Sequence, residues 1–125
     1  MKFNFFKYQG AGNDFVIIDN REMAVQLTKK QINYLCDRRF GIGADGLMLL
    51  EAHDKLDFSM RYYNSDGKES TMCGNGGRCL VQFAKRLNII DTEAKFQAID
   101  GGHKAVVNND TISVQMVDVD QINKV

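Results

Sequence analysis

The fold is decided by the stretch NSDGKESTMCGNGGRCLVQFAKRLN, residues 64–88, in which a glycine-rich loop leads into an apolar helix. Four apolar residues recur at the spacing i, i+3, i+4 and i+7 of one helix face: Leu80, Phe83, Ala84 and Leu87. Cys79 and Val81 widen that face, so other elements are expected to cover the helix on more than one side. We therefore predict a central helix from about Asn75 to Asn88.

Segments on both sides of this helix have the composition and the period-two alternation of β-strands. The predicted strands cover residues 3–8, 15–19, 47–51, 58–64, 95–99, 103–107 and 112–117. Thr28 is a suitable N-cap for a second helix that runs through Arg39. The apolar face of that helix would carry Ile32, Leu35 and Cys36. This order of elements predicts an α+β fold, in which a curved, mostly antiparallel or mixed sheet wraps around one central helix.

Length and charge limit the classes of protein to which the chain can belong. Its 125 residues fit one domain, and its 16 basic and 16 acidic residues cancel, so neither nucleic acid nor an anionic membrane surface is an expected partner. No apolar run approaches the ~18 residues of a membrane span, and the N-terminus turns polar too soon for a signal peptide. Three cysteines do not favour a disulfide scaffold. We expect a cytoplasmic protein.

Two glycine clusters precede the central helix. Residues 41–46, GIGADG, match the dinucleotide-binding pattern GxGxxG, but a predicted helix comes before them and a strand after them, which reverses the required order. This segment is therefore interpreted as a helix stop followed by a tight turn. Residues 10–15, GAGNDF, fit a hairpin turn. Within it, Asn13 carries an amide that can donate and accept hydrogen bonds beside a backbone that a ligand can approach closely.

The start of the central helix is the candidate site for chemistry. The first N–H groups of a helix have no intrahelical acceptor, and the macrodipole adds positive potential there. Gly74, Gly76 and Gly77 leave these groups uncovered, which favours the binding of a carboxylate or a phosphate. Cys73 stands directly before them, where a helix N-terminus lowers the pKa of a thiol and makes it a competent acid or base.

Two other interpretations of Cys73 are a buried, inert thiol and a metal ligand. Only five residues separate Cys73 from Cys79, no second cysteine pair follows, and His53 and His103 are distant in sequence, so we predict no metal site. A Cys–His nucleophile pair has no local signature but stays open, because spatial neighbours need not be neighbours in sequence. Cys36 is expected to be buried and structural.

Four motifs in a fixed order resemble those of one family, diaminopimelate epimerase. They are Gly10-x-Gly12-Asn13-Asp14-Phe15, Arg39-x-Gly41-Ile42-Gly43-x-Asp45-Gly46, Asn64-x-Asp66-Gly67 and Cys73-Gly74-Asn75-Gly76-x-Arg78-Cys79. The resemblance implies the family's reaction, which interconverts LL- and meso-diaminopimelate without pyridoxal phosphate, other cofactor or metal. It also implies the family's fold, in which two similar domains each supply one thiol and one helix N-terminus.

The resemblance assigns roles to individual residues. Cys73 matches one of two thiols that flank the α-carbon of the substrate, where one thiol removes a proton and the other delivers one. Four further residues match positions that bind the amino-acid substrate: Asn13, Asn64, Gly74 and Asn75. Gly46 falls where some members of the family place a glutamine against the substrate, so that side-chain contact is missing here.

The resemblance covers one of the family's two domains. We expect residues 1–125 to be the N-terminal domain, without the C-terminal catalytic half, and therefore inactive alone. Neither Cys36 nor Cys79 can replace the second thiol, since Cys79 lies roughly 9 Å further along the helix than Cys73. The missing half, or a second copy in a homodimer, would have to cover the exposed apolar surface. Two alternatives remain: a non-catalytic carboxylate-binding or interaction module, and a racemase or isomerase for another small amino acid.

Overall fold

The structure is a computed structural model that describes residues 3–10, 12–71, 74–108 and 111–117. Its elements, in chain order, are β1 (Phe6–Gly10), β2 (Asn13–Asp19), α1 (Lys29–Cys36), β3 (Gly46–Glu51), β4 (Phe58–Asn64), β5 (Glu69–Ser70), α2 (Gly74–Arg86), β6 (Glu93–Ala98), β7 (Gly101–Asn108) and β8 (Thr111–Val117). Neither helix in these ranges has the length and hydropathy that crossing a lipid bilayer requires. The α+β class predicted from the sequence is confirmed.

The strands form one mixed sheet in the order β1-β2-β3-β4-β6-β7-β8, with the short β5 paired to β4. The pairs β2–β3 and β4–β6 are parallel, and the remaining pairs are antiparallel. Parallel neighbours need a long crossover connection, which is usually helical. Here α1 lies in the connection between β2 and β3, and α2 lies in the connection between β4 and β6.

The sheet curls around α2. This helix contacts β1 and β8, which lie at opposite ends of the strand order, and it also contacts β2 and β3 between them. One helix can touch both ends of a sheet only when the sheet bends around it, and the result is a half-barrel. Leu80, Val81 and Phe83 are fully buried in its interior, so the predicted central helix is confirmed.

The central strands are buried on both faces. In β2, Phe15 and Ile17 pack with α2, whereas Val16 and Ile18 pack with α1 on the other side. Strand β3 divides its residues in the same way, with Met48 on the α2 side. Burial on both faces accounts for the continuous apolar runs in these two strands, where a half-exposed strand would alternate.

Helix α1 is shorter than the sequence predicted, because it ends at Cys36 and not at Arg39. The next residue, Asp37, has extended backbone angles, and its carboxylate accepts hydrogen bonds from the backbone N–H groups of Arg39 and Phe40 at 2.8 and 3.0 Å. A side chain that binds the backbone ahead of it competes with continuation of the helix. Strand β1 also differs from the prediction, since it begins at Phe6 and extends to Gly10.

The GIGADG segment does not stop α1, which has already ended at Cys36, but it caps the end of that helix. The N–H groups of Ile42 and Gly43 both donate to the carbonyl of Leu35, and these bonds satisfy the helix C-terminus. A Cβ atom at Gly41 would collide with the carbonyl oxygen of Tyr34, so the chain needs glycine there. The segment follows a helix and precedes β3, which is the reverse of a dinucleotide-binding turn.

Thr28 caps α1 as predicted and makes a testable contribution to stability. Its side chain accepts from Gln31 N at 3.1 Å, and the Gln31 side chain accepts from Thr28 N at 2.8 Å, which completes a capping box. We expect Thr28→Ala to lower the free energy of unfolding by about 1 kcal/mol, measured by urea denaturation. Thr28→Ser keeps the acceptor and is the matched control. Equal denaturation midpoints for the two variants would contradict this role.

Candidate functional site

Three residues singled out from the sequence lie at one end of adjacent strands. Asn13 begins β2, Gly46 begins β3, and Asn64 ends β4. Strand β3 runs parallel to β2 and antiparallel to β4, so these three positions share the same end of the sheet. The register places Gly46 between Phe15 and Asn64.

Asn13 and Asn64 also share one face of the sheet. Asn13 is two residues before Phe15, and Asn64 is four residues after Met60. Both Phe15 and Met60 pack in the cluster around α2. Because alternate residues of a strand face the same side, both asparagines project to the α2 side. The resemblance predicts that both asparagines bind substrate.

Helix α2 begins at the same end of the sheet. Asn75, in its first turn, donates from Nδ2 to Oδ1 of Asn13 at 2.9 Å. The structure therefore brings Asn13, Asn75 and the helix N-terminus together, and it places Asn64 on the same face and at the same end. The side chain of Asn64 has no hydrogen-bond partner within the described part of the chain. Its backbone N–H donates to the carbonyl oxygen of Lys68 at 2.9 Å, in the hairpin between β4 and β5.

Neighbours that can only donate or only accept fix the orientation of both amides. The Arg78 guanidinium donates to Oδ1 of Asn75, so Nδ2 of Asn75 must face Asn13. Asp45 accepts from Nδ2 of Asn13 at 3.2 Å, so Oδ1 of Asn13 must face Asn75. Each amide nitrogen carries two hydrogens and uses one in these contacts, which leaves one N–H on each for a ligand.

An ion cluster holds the two loops that carry these groups. Arg38 donates twice to the Asp14 carboxylate, at 2.8 and 3.0 Å, and also to Asp45 at 3.0 Å. Lys7 donates to Asp14 at 3.0 Å and to the carbonyl of Gly43. The cluster thereby joins the β1–β2 hairpin to the loop before β3, and Asn13 lies at their junction.

The sequence did not identify Lys7 and Arg38 as part of the site. Asp14 and Asp45 do fall within the motifs, but their cationic partners lie on β1 and after α1. The only indication in the sequence was that these two carboxylates lie in glycine-rich turns, where they would need cationic partners. The spacing along the chain did not identify which cations those are.

The first turn of α2 is a region of positive potential. Gly74 is exposed, whereas Gly76 and Gly77 are buried, so the expectation that all three glycines leave the helix N-terminus uncovered holds for Gly74 alone. The turn contains no acidic residue to offset the helix dipole. The Arg78 guanidinium lies alongside it, since Nη1 is 3.4 Å from where a Cβ atom of Gly74 would be. An anion at this position would meet backbone N–H groups together with a guanidinium.

Cys73, the predicted catalytic thiol, lies outside the described residues, and α2 begins directly after it at Gly74. The other two cysteines are each 3% exposed. Cys36 packs against the α1 side of the sheet, and Cys79 packs in the cluster around α2. The expectation that Cys36 is buried is confirmed.

Metal-binding side chains are not clustered in the described part of the chain. No three residues of the types His, Cys, Asp and Glu come close enough there to hold one ion. His53 contacts Gln97 at 2.9 Å, and His103 contacts Asp100 at 2.9 Å, so the two histidines have separate partners.

Burial should make Cys36 slow to react. It raises the pKa of the Cys36 thiol to about 11, so the reactive thiolate is scarce at pH 8. We expect iodoacetamide at that pH to alkylate Cys36 in the folded chain at least about tenfold more slowly than Cys36 in urea-unfolded chain. Peptide-resolved mass spectrometry measures both rates, and the unfolded sample is the internal control. Equal rates would show that the thiol is accessible.

The ion cluster should make part of the stability depend on pH. Hydrogen bonding to Arg38 holds the pKa of Asp14 well below its usual range, against an opposing effect of burial and with help from Lys7. A carboxyl whose pKa is lowered by folding stabilises the protein above its unfolded pKa of roughly 3.9, and this contribution is lost as the pH falls through the folded pKa.

We therefore expect Asp14→Asn to lower the free energy of unfolding at pH 7. The difference from wild type should persist to about pH 4 and then shrink with further acidification. Urea denaturation of both proteins between pH 7 and pH 2.5 measures it. A difference that stays constant over this range would refute the ionic contribution.

Comparison with known proteins supports one family. The model of the diaminopimelate epimerase family matches residues 5–123. The diaminopimelate epimerase of Flavobacterium psychrophilum is 62% identical over 123 residues, which cover 94% of this chain and 47% of the relative. That of Chlorobaculum tepidum is 50% identical over 103 residues, which cover 81% of this chain and 40% of the relative. The chain thus spans less than half the length of these curated relatives.

Solved structures agree on the fold. A phenazine biosynthesis protein of the PhzF family from Enterococcus faecalis superposes with a TM-score of 0.70 over 90% of this chain and 43% of its own, at 8% identity. Such low identity shows shared architecture alone. With the family model matching almost its whole length, the chain belongs to the diaminopimelate epimerase family.

Proposed function

We propose that this chain is one half of an enzyme that interconverts LL- and meso-diaminopimelate without a cofactor, with Cys73 as one of two acid/base thiols. Membership of the family supports the reaction class. The observation that carries the site is the start of α2, where the exposed Gly74 and a first turn without acidic residues adjoin the oriented amides of Asn13 and Asn75.

The difficult step is removal of the α-proton of an amino acid. The proton is only weakly acidic, so the enzyme must stabilise a carbanion-like transition state whose charge spreads into the α-carboxylate. N–H groups at the start of α2 are a preorganised donor set for that carboxylate, and Arg78 adds positive charge beside them. Loss of one such donor typically costs about 3–4 kcal/mol of transition-state stabilisation.

Cys73 is suited to accept the proton. It directly precedes the helix, and a thiol at a helix N-terminus has a lowered pKa and a larger thiolate fraction at neutral pH. As thiolate it takes the α-proton, while a second thiol on the opposite face of the α-carbon delivers its proton and becomes thiolate. The total number of protons on enzyme and substrate is unchanged, and the reverse reaction exchanges the roles of the two sulfurs.

The asparagines would orient the substrate so that its α-carbon lies between the two thiols. Asn13 and Asn75 each retain one amide N–H for a ligand, and their orientations are set by Asp45 and Arg78. Asn64 is partly buried at the same end of the sheet and has no partner among the described residues, so its amide is available to donate or accept. Gly74 would contribute its backbone N–H and not a side chain.

We take residues 1–125 as the N-terminal domain of the enzyme, and we infer that neither of the other two cysteines in the same copy of the chain is the second thiol. Cys36 is on the opposite side of the sheet from α2, and Cys79 is buried on the apolar face of α2. Neither can face Cys73 across a substrate carbon. We infer that a C-terminal half, or a second copy of this chain, completes the pocket.

The test is proton exchange and epimerisation by the full-length product of the reading frame that contains these residues. In D2O, with LL-diaminopimelate, we expect deuterium at the α-carbon and formation of the meso isomer, both followed by NMR. Cys73→Ser should reduce turnover about a thousandfold or more, since positioned acid–base groups contribute 10²–10⁴-fold. Cys36→Ala removes a buried thiol remote from the site and should leave turnover near wild type.

Other outcomes identify the alternatives. Binding of diaminopimelate without exchange, unaffected by Cys73→Ser, would indicate a non-catalytic binding module. Exchange with another small amino acid in place of diaminopimelate would indicate a different racemase or isomerase. Turnover by residues 1–125 alone that is lost in Cys73→Ala would refute the need for a second domain.

A further inference from the structure

Gly46 lies at the centre of the sheet end that carries the candidate site. It pairs with Phe15 on one side and with Asn64 on the other. Gly46 and Met48 are two residues apart in β3 and therefore face the same side of the sheet. Because Met48 packs in the cluster around α2, a side chain at position 46 would project toward the site. The space that such a side chain would need is already occupied.

The occupant is the ring of Tyr62. A Cβ atom at Gly46 would lie 2.8 Å from the Tyr62 hydroxyl oxygen and 3.0 Å from Cε2 of the same ring. The carbonyl oxygen of Tyr63 would be 2.9 Å away, so the backbone of β4 adds to the constraint. Real Cβ atoms do not approach other atoms this closely, and position 46 therefore accepts glycine alone without rearrangement.

The Tyr62 side chain leans toward the site end of the sheet. Tyr62 is paired in register with Met48, yet its hydroxyl lies over Gly46, two residues nearer to the strand end. Two residues of strand correspond to roughly 6–7 Å. The ring meets Phe15 edge to face at 6.1 Å between centroids, and Phe15 is 1% exposed. A buried aromatic partner thus holds the tyrosine ring in this direction.

We propose that Tyr62 is a substrate-contacting residue whose hydroxyl forms part of the floor of the pocket between Asn13 and Asn64, and that Gly46 gives this hydroxyl its space. The inference rests on the proposed function and extends it to a residue outside the four sequence motifs. A tyrosine hydroxyl can both donate and accept, so it suits a charged end group of an amino acid, either carboxylate or ammonium.

The position of Tyr62 predicts an effect on binding more than on the chemical step. Its hydroxyl is held by strand β4 and not by the start of α2, where charge develops in the transition state. An interaction that is equal in ground and transition states lowers KM and leaves kcat unchanged. Tyr62 should therefore act on the affinity for substrate.

The experiment is Tyr62→Phe in the full-length protein, with Tyr63→Phe as the matched control. Both changes remove one hydroxyl from β4, but Tyr63 packs on the α1 side of the sheet, away from the site. For Tyr62→Phe we expect KM for LL-diaminopimelate to rise about tenfold, with kcat within about threefold of wild type, as for loss of one hydrogen bond to a charged group. Tyr63→Phe should keep the wild-type KM, and both variants should keep the wild-type unfolding temperature to within about 2 °C.

The possible results distinguish failure of the role of Tyr62 from failure of the epimerase function. An active wild type with an unchanged KM in Tyr62→Phe, or a loss confined to kcat and unfolding temperature, overturns the role of Tyr62 and leaves the epimerase function standing. A wild type that binds diaminopimelate by calorimetry without turnover overturns the function, and a weaker Kd in Tyr62→Phe would then still support the contact. A wild type that neither turns over nor binds diaminopimelate rejects both.

Discussion

Burial of α2 inside the curled sheet is the constraint on which the rest of the structure depends. Full burial of a large apolar side chain contributes roughly 1.5–3 kcal/mol, and Leu80, Val81 and Phe83 are all fully buried. Phe83 also meets the rings of Phe6 and Tyr8 of β1 at 5.1 and 5.8 Å. These contacts fix the helix along its axis, so its polar first turn emerges where β2, β3 and β4 reach one common end.

The charged residues around the site contribute differently from the apolar core. The side chains of Arg38 and Lys7 are partly exposed, and water screens their ion pairs, so the contribution of each pair to stability is modest. Their second effect is geometric, because the contacts of Arg38 with Asp14 and Asp45 join two loops. Asp45 then determines which way the Asn13 amide faces. Apolar burial therefore places the helix, and the ionic network orients the groups that would meet a ligand.

Sequence patterns predicted the parts of the fold that are encoded locally. The apolar stripe of α2 and the Thr28 cap each depend on neighbours within one or two turns, and both are confirmed. The end of α1 was predicted three residues too late, because Asp37 binds the backbone ahead of it and this contact leaves no trace in hydrophobic periodicity. The two-residue strand β5 is too short to show alternation.

Of the site, the sequence indicated where the polar groups lie along the chain but not how they meet. Asn13 and Asn75 are 62 residues apart, and their hydrogen bond exists only because α2 runs back through the half-barrel. The partnership of Arg38 with Asp14 and the position of Tyr62 over Gly46 depend in the same way on strand register. Residue types at turns reveal candidates, whereas long-range pairing decides which candidates share a site.

In the proposed reaction, the polar end of the half-barrel would supply only part of the site. The groups described lie at one end of the sheet and on its α2 side: the first turn of α2, the oriented Asn13–Asn75 pair and the Asn64 amide. Inversion at carbon requires a proton to leave from one face and another to arrive at the opposite face. A group on the far face must be carried by a second rigid element, since loops rarely hold reacting atoms to the required fraction of an ångström. A second helix N-terminus facing α2 would meet that requirement, and its N–H groups would also bind the α-carboxylate of the substrate.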